Sequence, residues 1–190
     1  MAPSQKKARR LGAHLIFVDE SGFRLIPTVC KTWAPRGHTP RISYHYRHDR
    51  ISVISGVSLS AVRHRVGLYF RWHRKNIQRP EVVAFVRYVL RHLRGEVIVL
   101  WDNNNIHKGE PLDRLRRRCP RLHLEFFPAY APELNPDEGV WAQAKQRLAN
   151  GRPDDLAALS RRLTATLRRL HRSPHRLRRC LHQTGLPFFQ

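Results

Sequence analysis

Acidic residues are scarce in this chain of 190 residues: 14 Asp and Glu stand against 36 Lys and Arg, a formal net charge of +22. Self-repulsion on that scale argues against a basic partner and suits a polyanion, with backbone phosphate the obvious one. Thirty of the basic residues are Arg and six are Lys. A GC-rich genome explains that preference without any function, but it does not explain the shortage of acids. Cysteine is also rare. Cys30, Cys119 and Cys180 lie far apart with no C-x-x-C spacing, which excludes a zinc site or disulfide framework and reads as reduced, mostly buried thiols. No apolar run reaches membrane length and no signal-peptide pattern opens the chain, so the reading is a soluble, intracellular protein with no membrane partner. Internal repeats and low-complexity tracts are missing too. Length and a hydrophobic content of 41% predict one domain with a real core, over 13–190, behind a flexible basic lead at 1–12.

The few acids are placed with a pattern. Two apolar runs each end on one: His14-Leu15-Ile16-Phe17-Val18-Asp19 and Val97-Ile98-Val99-Leu100-Trp101-Asp102. A third, Glu138, sits in Leu134-Asn135-Pro136-Asp137-Glu138-Gly139-Val140-Trp141, which reads as a helix start. Carboxylates at strand ends, with another from a nearby helix, make a hard-cation site. In a strongly cationic protein, such a site points to phosphodiester chemistry on nucleic acid.

The first run is a short strand that ends at Asp19, where Glu20-Ser21-Gly22 signals a turn. Leu25-Ile26 and Cys30 to Trp33 suggest a pair of short strands, followed by a basic loop over 34–40. Ile51 to Leu59 and Val66 to Trp72 read as a hairpin. From Pro80 the period becomes helical: Val82, Val83, Phe85, Val86, Val89, Leu90 and Leu93 share a face, and Gly95 stops the helix. A central strand at 96–101, a short basic helix ending before Pro120, a strand at 122–127 and helices from Asn135, Asp154 and Pro174 follow. The order predicts a mixed α/β sheet flanked by helices, an RNase H-like arrangement. If the Asp19 and Asp102 strands are parallel neighbours, both acids emerge at one carboxyl edge, where open α/β sheets place their sites.

Phe17-Val18-Asp19-Glu20-Ser21-Gly22-Phe23, then Trp101-Asp102-Asn103 with Ile106-His107-Lys108, then Pro128 through Trp141, resemble the catalytic domain of mariner-like insertion-sequence transposases, of the Asp-Asp-Glu superendonuclease group. The 35 residues between Asp102 and Glu138 fall within that group's spacing. The resemblance implies that Asp19, Asp102 and Glu138 are the catalytic residues and hold two Mg2+ ions, for which Mn2+ would substitute. It implies cleavage at the ends of an element and transfer of the freed strand to target DNA. A catalytically inactive DNA-binding remnant, or an RNase H-like nuclease, is the alternative. Implied partners are the transposon ends and target DNA, a second copy in a homodimer, and a separate polypeptide with the helix-turn-helix domains that family members usually carry before the catalytic core. The implied location is the bacterial cytoplasm, at the nucleoid. Where the family has an apolar residue, this chain has Asp137. One residue is about 100° around a helix, so only one of the adjacent acids faces a site, and alignment to the motif selects Glu138.

Each of these residues also has a purely structural reading. Asp19 and Asp102 could simply start a turn and a loop. Asn135 as N-cap with Glu138 three residues on matches a capping box, a use of the carboxylate that competes with holding metal. Asp137 reads as a partner for the helix macrodipole, His107 as a hydrogen-bonding neighbour of the site, and Trp141 as core packing. Arg161, Arg162, Arg168 and Arg169, opposite a leucine stripe, are a solvated face or contact phosphate. Lys31, Arg36 and His38 of the early loop, with Lys108 and Lys145, are the candidate contacts to the DNA backbone.

Overall fold

The sheet is organised around two runs that are apolar without alternation, because both of their faces are covered. In the computed structural model, which describes residues 2–26, 28–42, 49–129 and 131–185, these runs are β1 (His14–Arg24) and β4 (Val97–Trp101), paired in parallel. Every residue of β4 is buried. β2 (Arg50–Ser60) and β3 (Val66–His73) form the expected hairpin, and β2 lies antiparallel to β1. β5 (Leu122–Phe126) is parallel to β4, giving the order β3-β2-β1-β4-β5.

One face packs Ile16, Val18, Val97, Val99 and Trp101 against Val82, Phe85, Val86 and Val89 of α2 (Arg79–His92) and Leu112 and Leu115 of α3 (Glu110–Arg118). The other packs Leu15, Phe17, Ile98 and Leu100 with Val140, Trp141 and Ala144 of α4 (Pro136–Leu148), the leucine stripe of α5 (Leu156–His171) and Leu177 and Leu181 of α6 (Pro174–Gln183). The mixed sheet flanked by helices is the RNase H-like arrangement expected. No helix among the described residues is long and apolar enough to cross a membrane.

Three expectations need correction. β1 does not turn after Asp19. Its register continues against β2 through Ser21–Val53 and Gly22–Ser52 to Arg24–Arg50, so an unbroken ladder overrides the local turn chemistry of Ser-Gly. Residues 2–11 of the basic lead, where no element was expected, form the helix α1 (Ala2–Leu11). Ala8 is buried in the main core, and Lys7 Nζ meets Glu125 Oε1 of β5 at 2.8 Å. Among the described residues, 25–42 contain no strand. The backbone of Cys30 is paired instead with a side chain: its N–H donates to Asn150 Oδ1 and its carbonyl accepts from Asn150 Nδ2, both at 2.9 Å. Met1 of the lead, Tyr130 of the third motif and 186–190 of the expected domain lie outside the described residues.

Candidate active site

The last paired row between β1 and β4 is Phe17–Leu100. Two residues beyond it on each strand stand Asp19 and Asp102, at the carboxyl edge of two parallel neighbours. Asp19 shares a face with Leu15 and Phe17, the side covered by α4, and Glu20 points to the opposite side. Asp19, Asp102 and Glu138 line one cleft of about 450 Å³, together with Asn103, Asn104, Asn135, Phe127–Ala129, Ala131 and Pro132.

The start of α4 is fixed by Asn135. Its Oδ1 accepts from the Asp137 amide at 3.1 Å, the N-cap bond, while Nδ2 reaches the Val18 carbonyl at 3.5 Å and ties the helix to the middle of β1. The Asn135 amide donates to the Pro132 carbonyl at 2.9 Å, so the capping-box partner expected for Glu138 is already taken. The exposed Glu138 carboxylate is left to the cleft.

Asp137 is not a solvent-facing partner of the helix dipole. It is fully buried, accepts from Ser55 Oγ, and takes the Val57 amide at 3.2 Å. Burial pushes its pKa well above the ordinary 3.8, against the Ser55 bond and with the charge of Asp19 adding to the rise. The helical step between neighbours sends one acid into the sheet and the next into the cleft.

Asp19 is also raised, to about 7, chiefly by burial; the Trp141 hydrogen bond opposes the shift, and Glu20 and Glu138 add to it. Trp141, expected only as core packing, donates Nε1 to Asp19 Oδ2 at 2.9 Å. Asp102 accepts from the Asn104 amide at 3.1 Å, and its Oδ1 lies 2.7 Å from His107 Nδ1. His107, buried on the short 3-10 turn Asn105–His107, is the hydrogen-bonding neighbour expected. Its Nε2 meets Glu20 Oε1 at 3.1 Å. Burial alone would lower the His107 pKa, but Glu20 and Asp102 outweigh it and the pKa is raised. The roles of Trp141 and Glu20 were missed because nothing local marks them: both depend on which strand the side chain meets across the fold.

None of the five basic candidates lines this cleft. Lys31, Arg36 and His38 are exposed on the loop after β1. Lys108 Nζ sits 5.9 Å from the centroid of the Phe126 ring. Lys145 borders a separate cavity of about 170 Å³ with Phe23, Leu148 and Arg162.

Residues 14–160 match the family model of the DDE superfamily endonucleases. The chain belongs to that family. Comparison with curated protein sequences returns no match. Among solved structures, this DDE endonuclease chain is similar in fold to the Mos1 strand transfer complex at 18% identity and a TM-score of 0.59, covering 97% of this chain and 59% of that one. It is also similar to the Mos1 mariner paired end complex with Mn, at 18% identity and a TM-score of 0.60, covering 97% of this chain and 60% of that one. For the catalytic domain of Mos1 mariner transposase alone, the figures are 16% and 0.55, with 97% of this chain and 89% of that one covered. The DDE endonuclease chain thus spans about 60% of the longer Mos1 chains.

The donor set fits a hard divalent cation. Three carboxylates line one open cleft, and Asp19 is difficult to ionise there without a positive neighbour. Among the described residues, no three His, Cys, Asp or Glu side chains stand together closely enough to hold a metal ion by themselves. Magnesium keeps several of its waters and takes one or two carboxylates, so an open row of acids suits it better than a closed cage.

Proposed function

We propose that this chain is the catalytic domain of a DNA transposase, which cuts a DNA strand at an element's end and transfers the freed 3′ end to target DNA. The observation that carries the reading is the lining of one cleft by Asp19, Asp102 and Glu138, drawn from three separate elements of a DDE endonuclease fold. Asp19, within β1, and Asp102, just past the end of β4, have short side chains on or beside paired backbone, while Glu138 reaches in from a capped helix. Two Mg2+ ions held there, or Mn2+ in their place, would supply activation of the attacking oxygen and charge stabilisation at the leaving oxygen. The protein then contributes mainly positioning and charge, as phosphoryl transfer requires.

DNA, as element ends and target, is the partner that the charge of +22 fits. Lys31, Arg36, His38, Lys108 and Lys145 are proposed contacts to its backbone outside the cleft. Joining two ends calls for a second copy of the active site, hence a homodimer, and a separate polypeptide supplies helix-turn-helix recognition. The setting is the bacterial cytoplasm, at the nucleoid.

The test is Asp102→Asn, assayed for strand cleavage with magnesium and for DNA binding. Cleavage should fall to background, while binding stays at the parental level and weakens steeply with added salt. A variant that cuts as well as its parent contradicts the assignment. Cut products that are never joined would mark a nuclease instead.

A further inference from the structure

Each of the two strand-borne acids is gripped by a buried ring N–H from outside its own strand. Trp141 is 1% exposed and reaches Asp19 from α4; His107 is 2% exposed and reaches Asp102 from the turn after β4. Neither ring is free to swing. The Trp141 indole stands edge-on to Phe23, with centroids 6.0 Å apart, and the His107 imidazole lies flat on Trp101 at 4.7 Å and 1°. His107 is held at its other nitrogen by Glu20, which comes from the residue next to Asp19 but on the opposite face of the sheet. The two grips thus reach the acids from opposite sides, α4 above and the α2–α3 layer below.

A phenylalanine would pack in either place without carrying a polar atom into the core. A buried N–H is costly unless it is bonded, and here the Trp141 bond ends on the Asp19 carboxylate, while His107 Nδ1 lies 3.1 Å from the Asp102 backbone carbonyl and 2.7 Å from its carboxylate, in a chain that has only 14 acids. The Asp102 side chain is 57% exposed, so without His107 only the Asn104 amide would restrain its rotamer. Partners that fix a ligating group in this way are a regular part of metal sites and set much of the affinity.

We infer that Trp141 and the Glu20–His107 pair are positioning residues that orient Asp19 and Asp102 toward a shared divalent cation. The inference rests on the reading of the cleft as a cation site. It assigns Glu20 a task distinct from that of a fourth ligand: holding the imidazole that holds Asp102.

The test is Mn2+ binding to the whole chain without DNA, read by electron paramagnetic resonance of free Mn2+, in the parent, Asp102→Asn, Trp141→Phe, Glu20→Ala and Glu20→Gln. Trp141→Phe keeps the ring and loses the N–H. Glu20→Gln keeps an oxygen that accepts from His107, and Glu20→Ala keeps nothing. Trp141→Phe and Glu20→Ala should each weaken Mn2+ binding by roughly 10- to 100-fold, with Glu20→Gln near the parent and DNA affinity unchanged in all three. Parental Mn2+ affinity in both Trp141→Phe and Glu20→Ala, alongside weakened binding by Asp102→Asn, overturns the positioning roles and leaves the cation site standing. A Glu20→Gln as weak as Glu20→Ala overturns the positioning role of Glu20 in favour of direct ligation. If the parent binds no Mn2+, or Asp102→Asn binds it as tightly as the parent, both the site and its positioning residues fall. Glu20 is partly exposed, so its two variants carry the test if Trp141→Phe fails to fold.

Discussion

Asp137 illustrates how one carboxyl group is kept out of the chemistry next to it. Burial raises its pKa well above 3.8, so the folded protein keeps a proton that the unfolded chain gives up at lower pH. Between those two values the unfolded state binds fewer protons, and Asp137 therefore lowers stability as pH rises. The group accepts from Ser55 Oγ and from the Val57 amide; an asparagine oxygen can take the Val57 amide while its NH2 donates to the Ser55 oxygen, since a hydroxyl serves as donor or acceptor. Asp137→Asn should fold, and its thermal midpoint should fall less than the parent's as pH rises from about 5 to about 8. Asp137→Ala, which strands the Ser55 hydroxyl and the Val57 amide, should lose about 1–3 kcal/mol in urea denaturation. An Asp137→Asn variant as unstable as Asp137→Ala would mean that the buried acid is ionised. The sequence held no sign of this role. Asp137 and Glu138 are chemically alike, and only the phase of α4 against β1 and β2 separates a buried acid from a cleft acid. The same holds for Trp141, whose apolar spacing was legible as core while its N–H bond to Asp19, 122 residues away, was not.

Among the elements, α4 matters most to the site because its first turn decides where Glu138 points. Asn135 both caps that turn and bonds the middle of β1. Asn135→Ala should cost about 1 kcal/mol of stability, measured by urea denaturation, and should depress strand cleavage by more than that loss explains, since Glu138 loses its register with Asp19. Unchanged cleavage by a folded Asn135→Ala would show that other contacts set the helix in place. This start was legible because Asn-Pro at the N-cap and N1 is local chemistry, and the apolar runs of β1 and β4 were legible because both of their faces are buried. Two other elements were not legible. The far half of β1 is a strand because β2 pairs with it, against its own turn-forming Ser21-Gly22. α1 is tied down by Ala8 in the core and by Lys7 on Glu125, neither visible in a stretch dominated by basic and polar residues.

At the scale of the whole molecule, charge is distributed with a purpose that composition alone did not reveal. α5 and α6 carry no acid at all, while Asp19, Glu20, Asp102, Asp137 and Glu138, five of the 14 acids, gather at one edge of the sheet. Burial raises Asp19 and Asp137, and the charges of neighbouring acids add to the rise, a cost that a cation bound at the cleft would offset. The excess of arginine suits phosphate, and the acids suit the metal that would act on it. Crystals of the chain soaked in manganese, with an anomalous difference map, test this directly. The expected result is manganese held by Asp19, Asp102 and Glu138. A saturating soak that leaves the cleft without manganese, or places the ion away from these three carboxylates, would contradict the account.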